Sequence, residues 1–345
     1  TTATGFDLTN TSVTAINTNG NEYIYVAIRN PMQKAPTTAA SVFQPQTYTG
    51  NNSTRVFTTT ITPDMVINSN VSITGDGRAV NDRLRGGGDE VYTNGNGAEA
   101  ATGSAGMQFD YTKQIEVQSY RIINTNNYLN LCWKRAKGFF DIVNYIGDGT
   151  STNNNRTAPI PHNLGVQPEM AWIKGRSSGS EWVVAHKDYG AGYLNLNNSL
   201  ATFPVGGINF DDAFTATNFK INGWQQESGF NTSGGTYISY LFATVEGVSK
   251  VGSYTGDGTS GKVINCGFYS GSSFVMVKSA SSTGNWWVVD SGRGFNKNIA
   301  FNDGNVQTSY TDIGTNSSGF TVTDGGSMGV NVSGATYIFY AIASI

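Results

Sequence analysis

One short stretch of this chain is written four times. Tyr337-Ile338-Phe339-Tyr340-Ala341-Ile342-Ala343 echoes Tyr237-Ile238-Ser239-Tyr240-Leu241-Phe242-Ala243, and both echo Tyr128-Leu129-Asn130-Leu131-Cys132-Trp133 and Tyr23-Ile24-Tyr25-Val26-Ala27-Ile28. The leading tyrosines are 105, 109 and 100 residues apart. Other blocks keep the same order. Phe6, Phe109, Phe219 and Phe320 precede the tyrosines at nearly constant spacing, and Tyr128 to Gly149 matches Tyr237 to Gly258 without a gap. Pro63-Asp64-Met65 matches Pro168-Glu169-Met170, and Trp182-Val183-Val184 is aligned with Trp287-Val288-Val289. The chain is therefore expected to be a tandem array of one module.

On this frame residues 1–30 hold only the closing blocks of a preceding module, so the full product is expected to extend further at its N-terminus. A Pro-containing linker over 31–40 follows, then a divergent first module over 41–137, a second over 138–246 and a third over 247–345. The joints between modules are a few residues long, which implies neighbours in fixed relative orientation, as rigid units in series.

The modules read as all-β. Long stretches with apolar residues at helical spacing are absent. Short apolar runs alternate with turn dipeptides such as Asn19-Gly20, Asp148-Gly149 and Asp257-Gly258. The Tyr runs are almost continuously apolar, as in a strand covered on both faces. Each module is accordingly expected to be a β-sandwich of Greek-key or jelly-roll type. Residues Gly75 to Gly106 of the first module lose the Trp-Val-Val signature and read as a variable surface loop.

Composition narrows the function. Charged residues make up 13% of the chain and the net charge is −3, which argues against a nucleic-acid-binding face. No apolar run approaches the ~20 residues that span a bilayer. Cys132 and Cys266 occupy unmatched positions and read as buried small hydrophobes rather than a disulfide.

Reactive constellations are weak. His162 lies in a turn and His186 follows a strand, and no Gly-x-Ser-x-Gly elbow accompanies them. Glu169, Glu181 and Asp211-Asp212 lack the spacing of a glycosidase strand. The Gly-Asp-Gly turns at 75–77, 147–149 and 256–258 lack the full calcium-loop pattern. No catalytic residue, metal site or cofactor is expected.

Two features fit carbohydrate recognition. Asp82-x-x-Arg85-Gly86 matches Asp290-x-x-Arg293-Gly294, while the second module has His186-x-x-Tyr189-Gly190. An Asp–Arg pair bracing a turn is the simpler reading; a polar loop for sugar hydroxyls is the functional one. Trp172, Trp182, Trp224, Trp286 and Trp287 cluster in the second and third modules. Trp287, aligned with Trp182, is expected in the core. Trp286, aligned with Glu181, is expected to face outward, and Trp224 to sit in an exposed loop. The candidate glycan contacts are Trp224, Trp286, Arg85 and Arg293.

Tyr254-Thr255-Gly256-Asp257-Gly258-Thr259, Trp182-Val183-Val184, Ser233-Gly234-Gly235-Thr236-Tyr237-Ile238 and the Tyr strand followed by Glu246-Gly247 resemble repeated modules of tail-fibre-like and other virion proteins of marine and cyanobacterial phages. The resemblance covers the second and third modules well and the first loosely. It implies a location on the virion surface and other virion proteins as partners, and it supplies no catalytic residue. The expectation is a structural, adhesive subunit of a tail fibre, spike or other exposed appendage. It would bind host-surface polysaccharide weakly at many points and self-associate, with a trimer favoured. Capsid decoration or a head fibre, and a polysaccharide-degrading spike enzyme, are the alternatives.

Overall fold

Tyr128, Tyr237 and Tyr337 each stand near the start of an interior strand, next to the opening strand of a main sheet. The computed structural model describes residues 18, 21–26, 34–102, 106–109, 111–118, 121, 123, 125–149, 158–189, 192–203, 213–221 and 230–345. The expected turn at Asn19-Gly20, the pair Asp211-Asp212 and the candidate Trp224 lie outside these residues. Among the described residues, no helix is long and apolar enough to cross a membrane, and the chain is all-β, organised as three related antiparallel sheets.

The sheets share one order. In the first, Phe43–Thr49 pairs with Asn127–Trp133, which pairs with Met65–Asn70, followed by Ala79–Asp82, Gly86–Tyr92 and Ala100–Ala101. In the second the order is Phe140–Ile146, Thr236–Phe242, Met170–Gly175, Val183–His186 and Leu194–Asn195. In the third it is Ser249–Thr255, Thr336–Ala343, Ser272–Ser279, Trp287–Asp290 and Asn298–Ala300. The first and last strands of every module are thus neighbours. A smaller sheet covers the outer face of each: Arg55–Thr58 with Gln114–Val117, Ile160–Pro161 with Asn218–Phe219, and Lys262–Asn265 with Gly319–Val322 and Ile313–Asn316. These are double-sheet, Greek-key modules.

The repeated tyrosines do the same work in every copy. Tyr128, Tyr237 and Tyr337 stack on Tyr48, Tyr145 and Tyr254 of the opening strands, with ring centroids 5.0, 4.9 and 4.9 Å apart. Their hydroxyls accept from the N–H five residues upstream: Ile123 at 3.2 Å, Thr232 at 3.1 Å and Val332 at 3.0 Å. Tyr23 accepts from Thr18 N–H in the same way at 2.8 Å. A tyrosine bonded back to nearby upstream backbone fixes the approach to its strand, as in other sandwich corners.

The modules do not stand in series. The inner face of each main sheet joins one continuous core, in which Phe43, Trp133, Trp172, Tyr240, Phe274 and Tyr340 are all buried. Rings from different modules meet there: Trp133 with Phe274 at 5.4 Å, Phe242 with Tyr340 at 5.0 Å and Trp172 with Phe301 at 6.2 Å. The outer faces of the first and second sheets build separate cores under their small sheets. Alternation along each strand sends successive side chains to these two destinations, which explains the unbroken apolar runs.

Three kinds of hydrogen bond recur at each of the three junctions. The Trp182 indole N–H donates to Tyr92 O at 2.8 Å, the Trp286 indole to Asn195 O at 2.9 Å and Arg78 Nε to Ala300 O at 3.3 Å. The N–H groups of Ser180, Gly284 and Gly75 donate to Asn96 O, Ser199 O and Gly304 O, each at 2.8 Å. Those of Glu99, Thr202 and Gln307 donate to Arg176 O and Ala280 O at 2.9 Å and to Val71 O at 3.2 Å. The second module thus grips the first, the third grips the second and the first grips the third. A head-to-tail contact whose rotation closes makes a ring, and here one chain supplies all three positions of a pseudo-threefold.

This register corrects two expectations. Trp286, placed outside by the Trp-Val-Val alignment, is fully buried. His186 pairs with Met170 and Asp290 with Phe274, so the counterpart of Trp182 is Trp286, four residues before the strand end, and not Trp287. Slipping a strand by one residue exchanges its faces. Trp287 packs on the opposite face, partly exposed, with its indole N–H donating to Met328 O at 2.9 Å. Second, Gly75 to Gly106 is not a free surface loop. It supplies three strands of the main sheet, Ala79–Asp82, Gly86–Tyr92 and Ala100–Ala101, the first of them buried throughout. Arg78, whose side chain is 0% exposed, stands where the other modules have tryptophan. Its guanidinium also donates to Asn70 O and Asn305 O at 2.9 and 2.5 Å. Burial pulls its pKa down to about 10, while Asp303 opposes that shift.

A shared core implies one cooperative unit. Differential scanning calorimetry should show a single transition for the three modules; three separable transitions would rule out the common core. Trp182→Ala and Trp286→Ala should each cost about 3–5 kcal/mol in urea unfolding. Trp287→Ala should cost less than either.

Candidate functional site

The Asp–Arg turns brace the ends of equivalent strands. Arg85 N–H and Arg293 N–H donate to the Oδ1 atoms of Asp82 and Asp290, each at 2.9 Å. The Nε groups donate to the Oδ2 atoms at 2.5 and 2.7 Å. Each Nη2 reaches back to the strand, to Val80 O at 2.8 Å and to Val288 O at 3.4 Å. Gly86 and Gly294 follow with φ of 97° and 88°, a region that side chains rarely adopt. In the second module His186 replaces the aspartate, and its Nδ1 accepts from Asp188 N–H at 3.2 Å.

The surroundings of the two arginines differ. Arg85 Nη1 donates to Glu99 Oε2 at 3.0 Å, and its Nη2 also reaches the Tyr240 hydroxyl of the second module at 3.2 Å. Tyr240 in turn donates to Asp82 Oδ2 at 2.7 Å, and Arg176 of the second module holds Glu99 at 2.7 Å. Burial works against the Arg85 charge, yet Asp82, Tyr240 and Glu99 hold its pKa above the usual arginine value. Burial also raises the Glu99 carboxyl, but Arg176 and Arg85 outweigh it and leave the pKa lowered. Nε, Nη1 and Nη2 of Arg85 are all engaged inside the junction, so this candidate glycan contact is a structural clamp. Trp286, buried in the next junction, is likewise not a sugar platform.

Arg293 borders a groove. Its side chain is 3% exposed, and Nη1 is buried without a hydrogen-bond partner. The groove, of about 450 Å³, runs between the third and first modules, with Arg293, Lys297 and Gln307 on one wall and Thr47, Thr49 and Asn127 on the other. The walls are pinned together. Gln307 N–H bonds Val71 O, and a side chain at Gly292 would meet Pro45 Cβ at 3.1 Å. A second groove of about 420 Å³ lies between the second and third modules, lined by Lys187, Asp188, Lys250 and Lys262. The sequence missed Gln307, Lys297 and the first-module wall because they are remote from one another along the chain; the Asp-x-x-Arg spacing was the only local signal.

The remaining reactive candidates have structural partners. His162 Nε2 lies 3.0 Å from Thr215 O, and its Nδ1 accepts from Leu164 N–H at 3.2 Å. Glu169 pairs with Lys187 at 2.9 Å, and Glu181 accepts from Asn96 at 3.1 Å. At two of the Gly-Asp-Gly turns, Asp148 and Asp257 exchange hydrogen bonds with Asn231 and Asn331. The third carries Asp76, which bonds Arg121 at 3.1 Å. Among the described residues no cluster of three potential ligands gathers for a metal. Cys132 and Cys266 are buried free thiols whose pKa burial pushes up to about 12, which makes them inert.

Burial pulls the His186 pKa down to about 4, with Asp188 opposing. Its unfolded value is about 6.5. Between these values the unfolded chain binds a proton that the folded chain does not, so stability rises with pH across that window. His162 is shifted the same way, again by burial. Unfolding free energies from urea titration should therefore fall on acidification from pH 6.5 towards 4, by up to ~1.4 kcal/mol per pH unit for His186, with His162 acting in the same direction. His186→Gln should flatten the profile; an unchanged slope would remove His186 as a cause.

No curated protein and no solved structure matches this chain. A family model does match, and it runs through all three modules and the junctions between them as one unit. Over residues 38–344 the chain belongs to the family described as a domain of unknown function, DUF7483.

Proposed function

We propose that this protein is a structural subunit exposed on a virion, in a tail fibre, spike or similar appendage, and that it holds host-surface glycans in the grooves between its modules. The observation that carries the reading is the closed ring: three double-sheet modules share one core and repeat the same junction bonds. Such a body resists deformation, because each module is held on two sides and none turns without opening the core. Polar grooves lined by two modules at once offer fixed donors and acceptors to sugar hydroxyls. Weak binding at each groove, multiplied by further self-association into trimers, would give firm attachment.

Two measurements test this. Imaging of whole particles with a labelled antibody places the subunit. Purified protein is also incubated with host cells and with host polysaccharide while viscosity is followed. Location on an exposed appendage together with cell binding at constant viscosity supports the reading. Falling viscosity would replace it with glycan cleavage, and location on the head shell without cell binding would replace it with capsid decoration.

A further inference from the structure

We infer that the groove between the third and first modules is a site for the carboxylate of an acidic sugar, with Arg293 Nη1 as its principal donor. This rests on the glycan-binding reading above and narrows it.

The three junctions supply the comparison. Glu99, Thr202 and Gln307 occupy one equivalent position, since their N–H groups bond the equivalent carbonyls of Arg176, Ala280 and Val71 in the next module. In the first module this position completes the Asp–Arg turn: Glu99 Oε2 meets Arg85 Nη1 at 3.0 Å. In the third module the position holds Gln307. Its Oε1 is buried without a hydrogen-bond partner, as is Arg293 Nη1. The guanidinium of Arg85 therefore faces two carboxylates, Asp82 and Glu99, whereas that of Arg293 is paired with Asp290 alone, at 2.6 Å.

An unpartnered buried guanidinium N–H is costly, and the first junction shows what satisfies it: a carboxylate oxygen along the same direction. Neutral sugar hydroxyls make weaker bonds to a cation than a carboxylate does. The local charge favours an anion, because Lys297 lies on the same wall and Arg78 is close enough to feel the Arg293 charge. Thr47, Thr49 and Asn127 on the opposite wall provide partners for ring hydroxyls. Arg293 Nη1 and Gln307 Oε1 lie beneath the groove surface, so rim side chains turn to admit the ligand. Lys297, which lines the groove, donates to Ser309 Oγ at 2.7 Å. No counterpart of this site exists in the second module, where His186 replaces the aspartate and Thr202 the glutamate.

The test uses the whole chain and isothermal titration calorimetry. The probes are a galacturonate trisaccharide, sialyl-lactose, and the neutral galactose trisaccharide with the galacturonate linkage. At least one acidic probe should bind tenfold or more tightly than the neutral one, and more weakly as salt is raised. Gln307→Glu is the decisive variant. It recreates the first-module arrangement, should fold with a thermal midpoint at or above that of the parent, and should abolish acidic-probe binding. Arg293→Gln should also abolish it; if that variant does not fold, Gln307→Glu decides alone. Undiminished acidic-probe binding by folded Gln307→Glu overturns the site, as does failure of both acidic probes. If the neutral probe or host cells still bind in either case, glycan binding stands and only the acidic-sugar assignment falls.

Discussion

The structure depends on the covering of one set of apolar faces by two others. Each main sheet has a small sheet on its outer face and nothing of its own on the inner face. A module alone would leave Phe140, Ile142, Trp172, Tyr240 and Phe242, or their counterparts, in water. Three such faces turned towards a common axis cover one another. Burying one tryptophan removes some 150–250 Å² from water, worth about 4–6 kcal/mol as an upper bound. A junction hydrogen bond adds a net ~1 kcal/mol. Burial therefore closes the ring, and the hydrogen bonds set its direction and register.

The three copies fill the shared centre with different side chains. The strand position held by Ile67 in the first module holds Trp172 in the second and Met276 in the third; Leu131 corresponds to Tyr240 and Tyr340. A dense core requires such complementarity when identical large residues would collide near an axis. The same divergence makes the junctions unequal. Arg78 takes the place of a tryptophan and bonds carbonyls of the third module with two nitrogens, Nε and Nη2, and Asn70 O of its own module with Nη1, rather than one carbonyl with one ring N–H. Glu99 closes a charge network where Gln307 leaves an arginine half-satisfied. A ring of perfect copies would have three identical sites, but here the groove between the third and first modules is lined by an under-neutralised arginine whose first-module counterpart is sealed.

Much of the architecture is legible in the sequence. The Tyr runs mark interior strands of the main sheets because a strand with both faces covered carries few polar residues. The three main sheets lie within 41–137, 138–246 and 247–345. The Asp-x-x-Arg-Gly spacing marks a braced turn because Asp at a strand end accepts the N–H three residues on. Two readings failed for related reasons. The letters Trp-Val-Val align best one residue away from the true register, and in a strand one residue is the difference between core and outer face. Gly75 to Gly106 looked unconstrained because its key residue, Arg78, does the work of a tryptophan with different chemistry. The groove itself was invisible, since its walls are brought together only by ring closure.

Local pattern was enough to specify strands, turns and the repetition of one module, because those follow from side-chain alternation and turn chemistry within a few residues. Whether the modules would string out or close on themselves was not in that pattern. It followed from how three apolar faces, far apart along the chain, could best be removed from water. The partners of Arg85 and Arg293 followed as well: two arginines in the same Asp-x-x-Arg-Gly spacing became a sealed clamp and an incompletely paired donor because different modules face them.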